Sequence, residues 1–155
     1  SQAADLVRLS HFGNGGRGFA GATRWAGYGT KSMAEVLAQS GRETVVIAQI
    51  EEPEALRNVE SIAATDGIDG LFLGPSDMSV SMGYLDANSE ELLAALKRTG
   101  DAALASGKAY MTFVANATKA ADWAQYGPHM FFVGSEQGWM KAGANMDAAG
   151  IHAIG

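Results

Sequence analysis

Two segments confine what this chain can fold into. Residues 44–51 (TVVIAQIE) and 68–77 (IDGLFLGPSD) each contain an uninterrupted run of buried-type apolar side chains and end on a carboxylate. Val45, Val46, Ile47 and Ala48 lead to Gln49, Ile50 and Glu51; Leu71, Phe72 and Leu73 lead to Gly74, Pro75, Ser76 and Asp77. A strand with one wet face alternates apolar and polar residues. A continuous apolar run fits a strand covered on both faces, as in a parallel sheet.

The rest of the chain repeats the same rhythm. A plausible helix end at 1–12 precedes Gly13-Asn14-Gly15-Gly16-Arg17-Gly18, a loop by composition. That loop is read as a plain turn rather than a phosphate cradle. No convincing strand precedes it and no Lys-Ser/Thr follows. Thr30 is expected to cap a short helix over 31–39, with Gly41 beyond its end. After the strand at 44–50, Pro53 suits the first turn of a helix flanked by Glu52 and Glu54. Ala55, Leu56, Val59, Ile62 and Ala63 give that helix an apolar stripe through about residue 64.

A strand at 68–73 comes next, and Gly74-Pro75 is read as a rigid turn. Asp69, at the strand's start, is read as a turn residue. Ser89 caps a helix ending before Gly107, a third strand spans 108–114, and Asn116 or Thr118 opens a helix closed by Gly127. A fourth strand at 129–133 leads into a short helix through about residue 142. Strand then helix, repeated at short spacing, predicts βαβ units and a parallel sheet. Residues 1–142 are therefore expected to form one α/β domain, and the Gly/Ala-rich 143–155 a loose or partner-dependent tail.

Four such units leave two sheet edges open, and a full (β/α)8 barrel needs about 200–250 residues. At 155 residues the chain reads as the C-terminal half of such a barrel, or slightly more. Composition narrows the function classes. A net charge of −6 and no basic stripe argue against a nucleic-acid surface. The absence of cysteine excludes disulfides, thiolate metal sites and a Cys nucleophile. No apolar stretch approaches the ~20 residues that span a bilayer. The N-terminal segment lacks the pattern of a signal peptide, so a cytoplasmic location is the default expectation.

Carboxylates at the C-terminal ends of parallel strands stand where α/β barrels place their chemistry. Adjacent strands lie ~4.8 Å apart, close enough for Glu51 and Asp77 to converge on one ion. Two carboxylates with water in the remaining positions suit Mg²⁺, Mn²⁺ or a similar hard cation. The alternative from spacing alone is that both are ordinary loop carboxylates. Amides beside Gly74-Pro75-Ser76 are placed to receive a substrate carboxylate. His11, His129 and His152 show no metal-ligand spacing, and they read as surface or packing residues. Trp25, Trp123 and Trp139 read as outer-layer or contact residues, and Met78, Met82 and Tyr84 as the floor of the pocket. Ser79 and Ser81 are placed to hydrogen-bond the loop; without a nearby histidine, neither reads as a nucleophile.

These residues carry a resemblance. The run from Gln49-Ile50-Glu51 through Gly67-Ile68-Asp69-Gly70, Gly74-Pro75-Ser76-Asp77-Met78-Ser79 and Met82-Gly83-Tyr84 resembles the central signature of the HpcH/HpaI aldolases. These are metal-dependent class II pyruvate aldolases. The likeness extends more loosely to Arg17-Gly18, Tyr28-Gly29 and Val133-Gly134-Ser135. It implies a (β/α)8 barrel of the phosphoenolpyruvate/pyruvate type, often with its last helix exchanged between subunits. It also implies Glu51 and Asp77 as ligands of a divalent metal (Mg²⁺, Mn²⁺ or Co²⁺). Ser76 and Asp77 would offer backbone N–H groups to a pyruvate carboxylate next to Gly74 and Pro75, and Gln49 would line the same pocket.

The reaction implied is cleavage or formation of the C3–C4 bond of a 4-hydroxy-2-oxo acid, giving pyruvate and an aldehyde through a metal-stabilised enolate. Relatives with this signature also cleave malyl-CoA-type esters or decarboxylate oxaloacetate, and a non-catalytic half-barrel is the third reading. The family's active-site arginine and its histidine/aspartate pair lie on the first barrel strands, to which nothing here corresponds. The paired prolines usual before its Arg-Gly turn are replaced by Phe12-Gly13-Asn14. The expected partners are therefore a small 2-oxo acid and a homo-oligomeric copy or separate chain supplying the missing strands.

Overall fold

The computed structural model describes residues 1–84, 86 and 88–154. Among these residues, eight α-helices and four strands follow one another in the expected alternation. They are α1 (Gln2–Ser10), α2 (Met33–Glu43), β1 (Ile47–Ile50), α3 (Pro53–Arg57), α4 (Val59–Ala63), β2 (Gly70–Leu73), α5 (Pro75–Met82), α6 (Glu90–Ala105), β3 (Ala109–Val114), α7 (Ala117–Ala124), β4 (Met130–Val133) and α8 (Glu136–His152). The strands form a parallel sheet in the order β1-β2-β3-β4. Sequential neighbours pair because each strand is joined to the next by a crossover that packs back onto the sheet.

Helices α3 to α7 cover one face of that sheet. Ala48 and Ile50, Leu71 and Leu73, and Tyr110 and Val114 point towards Val59 and Ala63 of α4 and Leu92, Ala95 and Leu96 of α6, forming a continuous core. The opposite face carries Ile47 and Gln49, Phe72, Met111 and Phe113, and Met130 and Phe132. Phe72 meets Phe132 edge-to-face with ring centroids 5.4 Å apart. Phe132 nevertheless remains 57% exposed, because no helix of the described residues lies over it.

Local chemistry explains most element boundaries and corrects several expected ones. Ser32, not Thr30, caps α2: its side chain accepts from the Glu35 N–H, and its own N–H donates to the Glu35 carboxylate at 2.8 Å. The Ser32 hydroxyl and N–H hold the Glu35 carboxyl below its usual range. The helix runs through Gly41 to Glu43, since one glycine costs only about 1 kcal/mol against alanine. The single helix expected after Pro53 is divided at Asn58, whose side-chain amide donates to the Glu54 carbonyl at 2.9 Å. Asp69 does more than turn the chain: its carboxylate accepts the Val46 N–H at 2.7 Å and ties the start of β1 to that of β2.

Gly74-Pro75 begins a helix rather than closing a turn. Pro75 occupies the first helical position, where a missing N–H costs nothing. The expected boundary at 142 falls inside α8, which continues through His152 with none of its residues buried. Ala144, Met146, Ala148 and Ala149 favour a helix enough to carry it past Gly143. The Gly13–Gly18 loop closes as a turn, with the Arg17 N–H donating to the His11 carbonyl at 2.9 Å and the Arg17 guanidinium 4.0 Å from the Phe12 ring centre.

Tyr110 is buried in the core and donates to the Leu96 carbonyl at 2.9 Å. Burial pushes its phenol well above the ordinary value. The unfolded chain therefore releases this proton first as pH climbs through about 10, and stability present below that pH is lost above it. Urea midpoints taken at about pH 9 and about pH 11 should fall more steeply for the parent than for Tyr110→Phe. Equal slopes would remove Tyr110 as the cause.

Candidate functional site

The C-terminal ends of β1 and β2 lie side by side. Ile50 pairs with Leu73, and the Gly74 N–H continues the ladder by donating to the Ile50 carbonyl at 3.1 Å. The chain leaves β1 through Glu51 and leaves β2 directly into α5. Gln49 and Glu51, two residues apart on an extended chain, project to the same side. The Gln49 amide donates to Glu51 Oε1. Both side chains lie against Gly74: a Cβ there would stand 2.9 Å from Glu51 Cγ and Oε1 and 3.3 Å from Gln49 Nε2. Gln49, Glu51 and Gly74 are thus brought together.

The remaining sequence candidates occupy the first turn of α5. Pro75, Ser76 and Asp77 are its first three residues, and no side chain caps it. The first helical bond runs from the Met78 N–H to the Gly74 carbonyl at 3.0 Å. Among the described residues, the Ser76 and Asp77 N–H groups have no acceptor, leaving two donors at the positive end of the helix dipole. The Asp77 carboxylate is exposed and makes no hydrogen bond among the described residues, while Glu51 is half-buried. No group of three or more His, Cys, Asp or Glu side chains that could hold a metal occurs among the described residues. A cation here would therefore have two carboxylate ligands, with the other positions open to water and substrate, as Mg²⁺ sites commonly are. The side-chain space left by Gly74 fits that use, because it lets a carboxylate sit against the backbone.

Neighbouring candidates have other roles. Met78 is fully buried in the helix-side core, so it supports α5 from beneath. Tyr84 lies just beyond the helix's αL cap at Gly83, where a hydrogen bond with Glu91 raises its phenol above the ordinary range. The Ser79 hydroxyl is buried without a partner among the described residues. Trp123 is buried, whereas Trp25 and Trp139 are exposed. A cleft of about 570 Å³ between α1 and β1 shares Gln49 with this site and is also lined by Leu6, Glu52 and Ala55, but by neither Glu51 nor Asp77. The direct tie from Gln49 to Glu51 was open to sequence reasoning through the two-residue period of a strand. The closeness of Gly74 was not, because it depends on the register between β1 and β2.

A parallel α/β sheet with carboxylates at its C-terminal edge defines a class of fold in which enzymes commonly carry their chemistry. Residues 2–142 match the HpcH/HpaI aldolase/citrate lyase family, and the chain belongs to it. It is 34% identical over 145 residues to a hydroxypyruvate/pyruvate aldolase of Paraburkholderia phytofirmans, covering 90% of this chain and 55% of that protein. It is 42% identical over 104 residues to a 4-hydroxy-2-oxovalerate aldolase of Novosphingobium aromaticivorans, covering 65% of this chain and 37% of that protein. The crystal structure of an HpcH/HpaI aldolase/citrate lyase family protein from Burkholderia cenocepacia J2315 superposes with a TM-score of 0.88 at 29% identity, covering 97% of this chain and 60% of the other. The chain spans about half the length of the curated relatives it matches. These relatives are aldolases by name. No helix among the described residues is long and apolar enough to cross a membrane.

Proposed function

We propose that this chain is the cation-binding, C-terminal half of a (β/α)8 barrel that cleaves, or forms, the C3–C4 bond of a 4-hydroxy-2-oxo acid to give pyruvate and an aldehyde. The observation that carries the reading is the Glu51 carboxylate seated on Gly74, beside the uncapped first turn of α5 that holds Asp77. Glu51 and Asp77 would hold the cation. A divalent ion bound there supplies Lewis-acid polarisation of the substrate's keto oxygen. The free Ser76 and Asp77 N–H groups bind the substrate carboxylate and orient it by the helix dipole. Gln49 fixes the Glu51 side chain. The bare inner face bearing Phe72 and Phe132 supports the half-barrel reading, since the remaining strands of a barrel would cover it.

The names of the relatives support pyruvate chemistry: hydroxypyruvate/pyruvate aldolase, 4-hydroxy-2-oxovalerate aldolase and 5-keto-4-deoxy-D-glucarate aldolase. The test combines this chain with the segment that completes the barrel and follows pyruvate release from 4-hydroxy-2-oxo acids, with Mn²⁺ and with chelator. Chelator-sensitive release is expected. Turnover of oxaloacetate or malyl-CoA with none of the hydroxy-oxo acids would assign the same site to a different reaction, and no turnover at all would leave a half-barrel that only associates.

A further inference from the structure

We propose that Gln49 and Gly74 are positioning residues that lock the Glu51 carboxylate in one orientation, with Oε1 committed to the Gln49 amide and Oε2 alone presented to a cation. The inference rests on the reading of Glu51 as a cation ligand and specifies how that ligand binds.

The glycine supplies the first argument. Gly74 has φ −85° and ψ 98°, a backbone conformation open to any L-residue. Its lack of a side chain is therefore not demanded by the backbone. What fills the space is Glu51, with Cγ and Oε1 each 2.9 Å from where a Cβ would stand, and Gln49 Nε2 at 3.3 Å. Those neighbours are side-chain rather than backbone atoms, so the clash of an alanine here falls on the Glu51 and Gln49 side chains and displaces the carboxylate.

Gln49 supplies the second argument. Its side chain is exposed at the strand end, where nothing about packing calls for an amide. Its Nε2 is spent on Glu51 Oε1. A glutamate left free must be ordered at the moment it binds an ion, which weakens binding. Outer partners that orient a ligand carry about 10–100-fold in metal affinity. With Oε1 held by the amide, Oε2 is the Glu51 oxygen that has no hydrogen-bond partner among the described residues. One oxygen per carboxylate suits the compact octahedral shell of Mg²⁺ and Mn²⁺, whereas Ca²⁺ readily takes both oxygens of one carboxylate.

The test measures Mn²⁺ and Ca²⁺ affinity of the parent chain, Gln49→Met and Gly74→Ala, with thermal midpoints recorded alongside. Both substitutions are expected to weaken Mn²⁺ binding about tenfold or more with midpoints held. Gln49→Met should also lower the preference for Mn²⁺ over Ca²⁺, a change that a merely structural role for the amide would not produce. Parent-like Mn²⁺ affinity and selectivity in Gln49→Met would overturn the inference while leaving the cation site standing. Absence of Mn²⁺ binding by the parent chain would overturn both. Should Gly74→Ala fail to fold, the reading of its Cβ space is wrong, and Gln49→Met alone decides the role of the amide.

Discussion

Glu51→Gln should lower Mn²⁺ affinity by at least about a hundredfold and abolish chelator-sensitive turnover in the completed barrel. Orienting partners alone are worth about 10–100-fold, so removing a ligand's charge belongs at or beyond the top of that range. The substitution keeps the shape and length of the side chain, and Glu51 is only half-buried. The fold should therefore persist, and the loss will read as chemistry rather than collapse. Asp77→Asn should act in the same direction, since Asp77 is exposed at the start of α5 and holds no structural hydrogen bond among the described residues. Titration of Mn²⁺ against each variant, followed by the signal of the free ion, is the measurement. Undiminished affinity in Glu51→Gln would remove the carboxylate site from this end of the sheet.

Leu71→Ala should cost about 3–4 kcal/mol. Leu71 has no exposed surface and lies in β2, an interior strand of the sheet, with Val59, Ala63 and Leu96 in the core against which it packs. Deleting a leucine side chain in such a place forfeits both its transfer energy and the contacts around the cavity. For a domain of this size the thermal midpoint should drop by about 6–15 °C. Val80→Ala provides the contrast, because Val80 is 70% exposed and its truncation should stay within about 0.5 kcal/mol. If the two variants melt alike, the core is not where the apolar strands place it.

Strands were the most legible part of the sequence. Val45 to Ile50, Leu71 to Leu73 and Ala109 to Ala115 are mainly apolar runs bounded by polar or glycine residues, and a parallel sheet forms where they predict it. Helix ends were legible where a side chain supplies the cap, as Ser89 does for α6 through the Leu92 N–H at 3.3 Å. They were misread where two signals compete. Pro75 carries the same first-turn signal as Pro53, but the preceding glycine made a turn the simpler reading. Asn58 divides a continuous apolar stripe because its amide competes for a backbone carbonyl, a contest that hydrophobic periodicity does not register.

At the site, the order of the chain put Glu51 and Asp77 at neighbouring strand ends, and the sheet keeps β1 and β2 adjacent. The packing of Glu51 against Gly74 was not legible. It depends on Ile50 standing opposite Leu73, and strand register is a property of the assembled sheet.

The uncovered aromatic side of the sheet has a consequence for handling the molecule. Phe113, Met130 and Phe132 present an oily surface to water, and among the described residues β1 and β4 each have only one strand neighbour. Such a combination is adhesive in two ways, through greasy contact and through main-chain groups ready to accept another strand. On its own the polypeptide should clump as its concentration rises, and its colloidal behaviour will depend on the company it keeps.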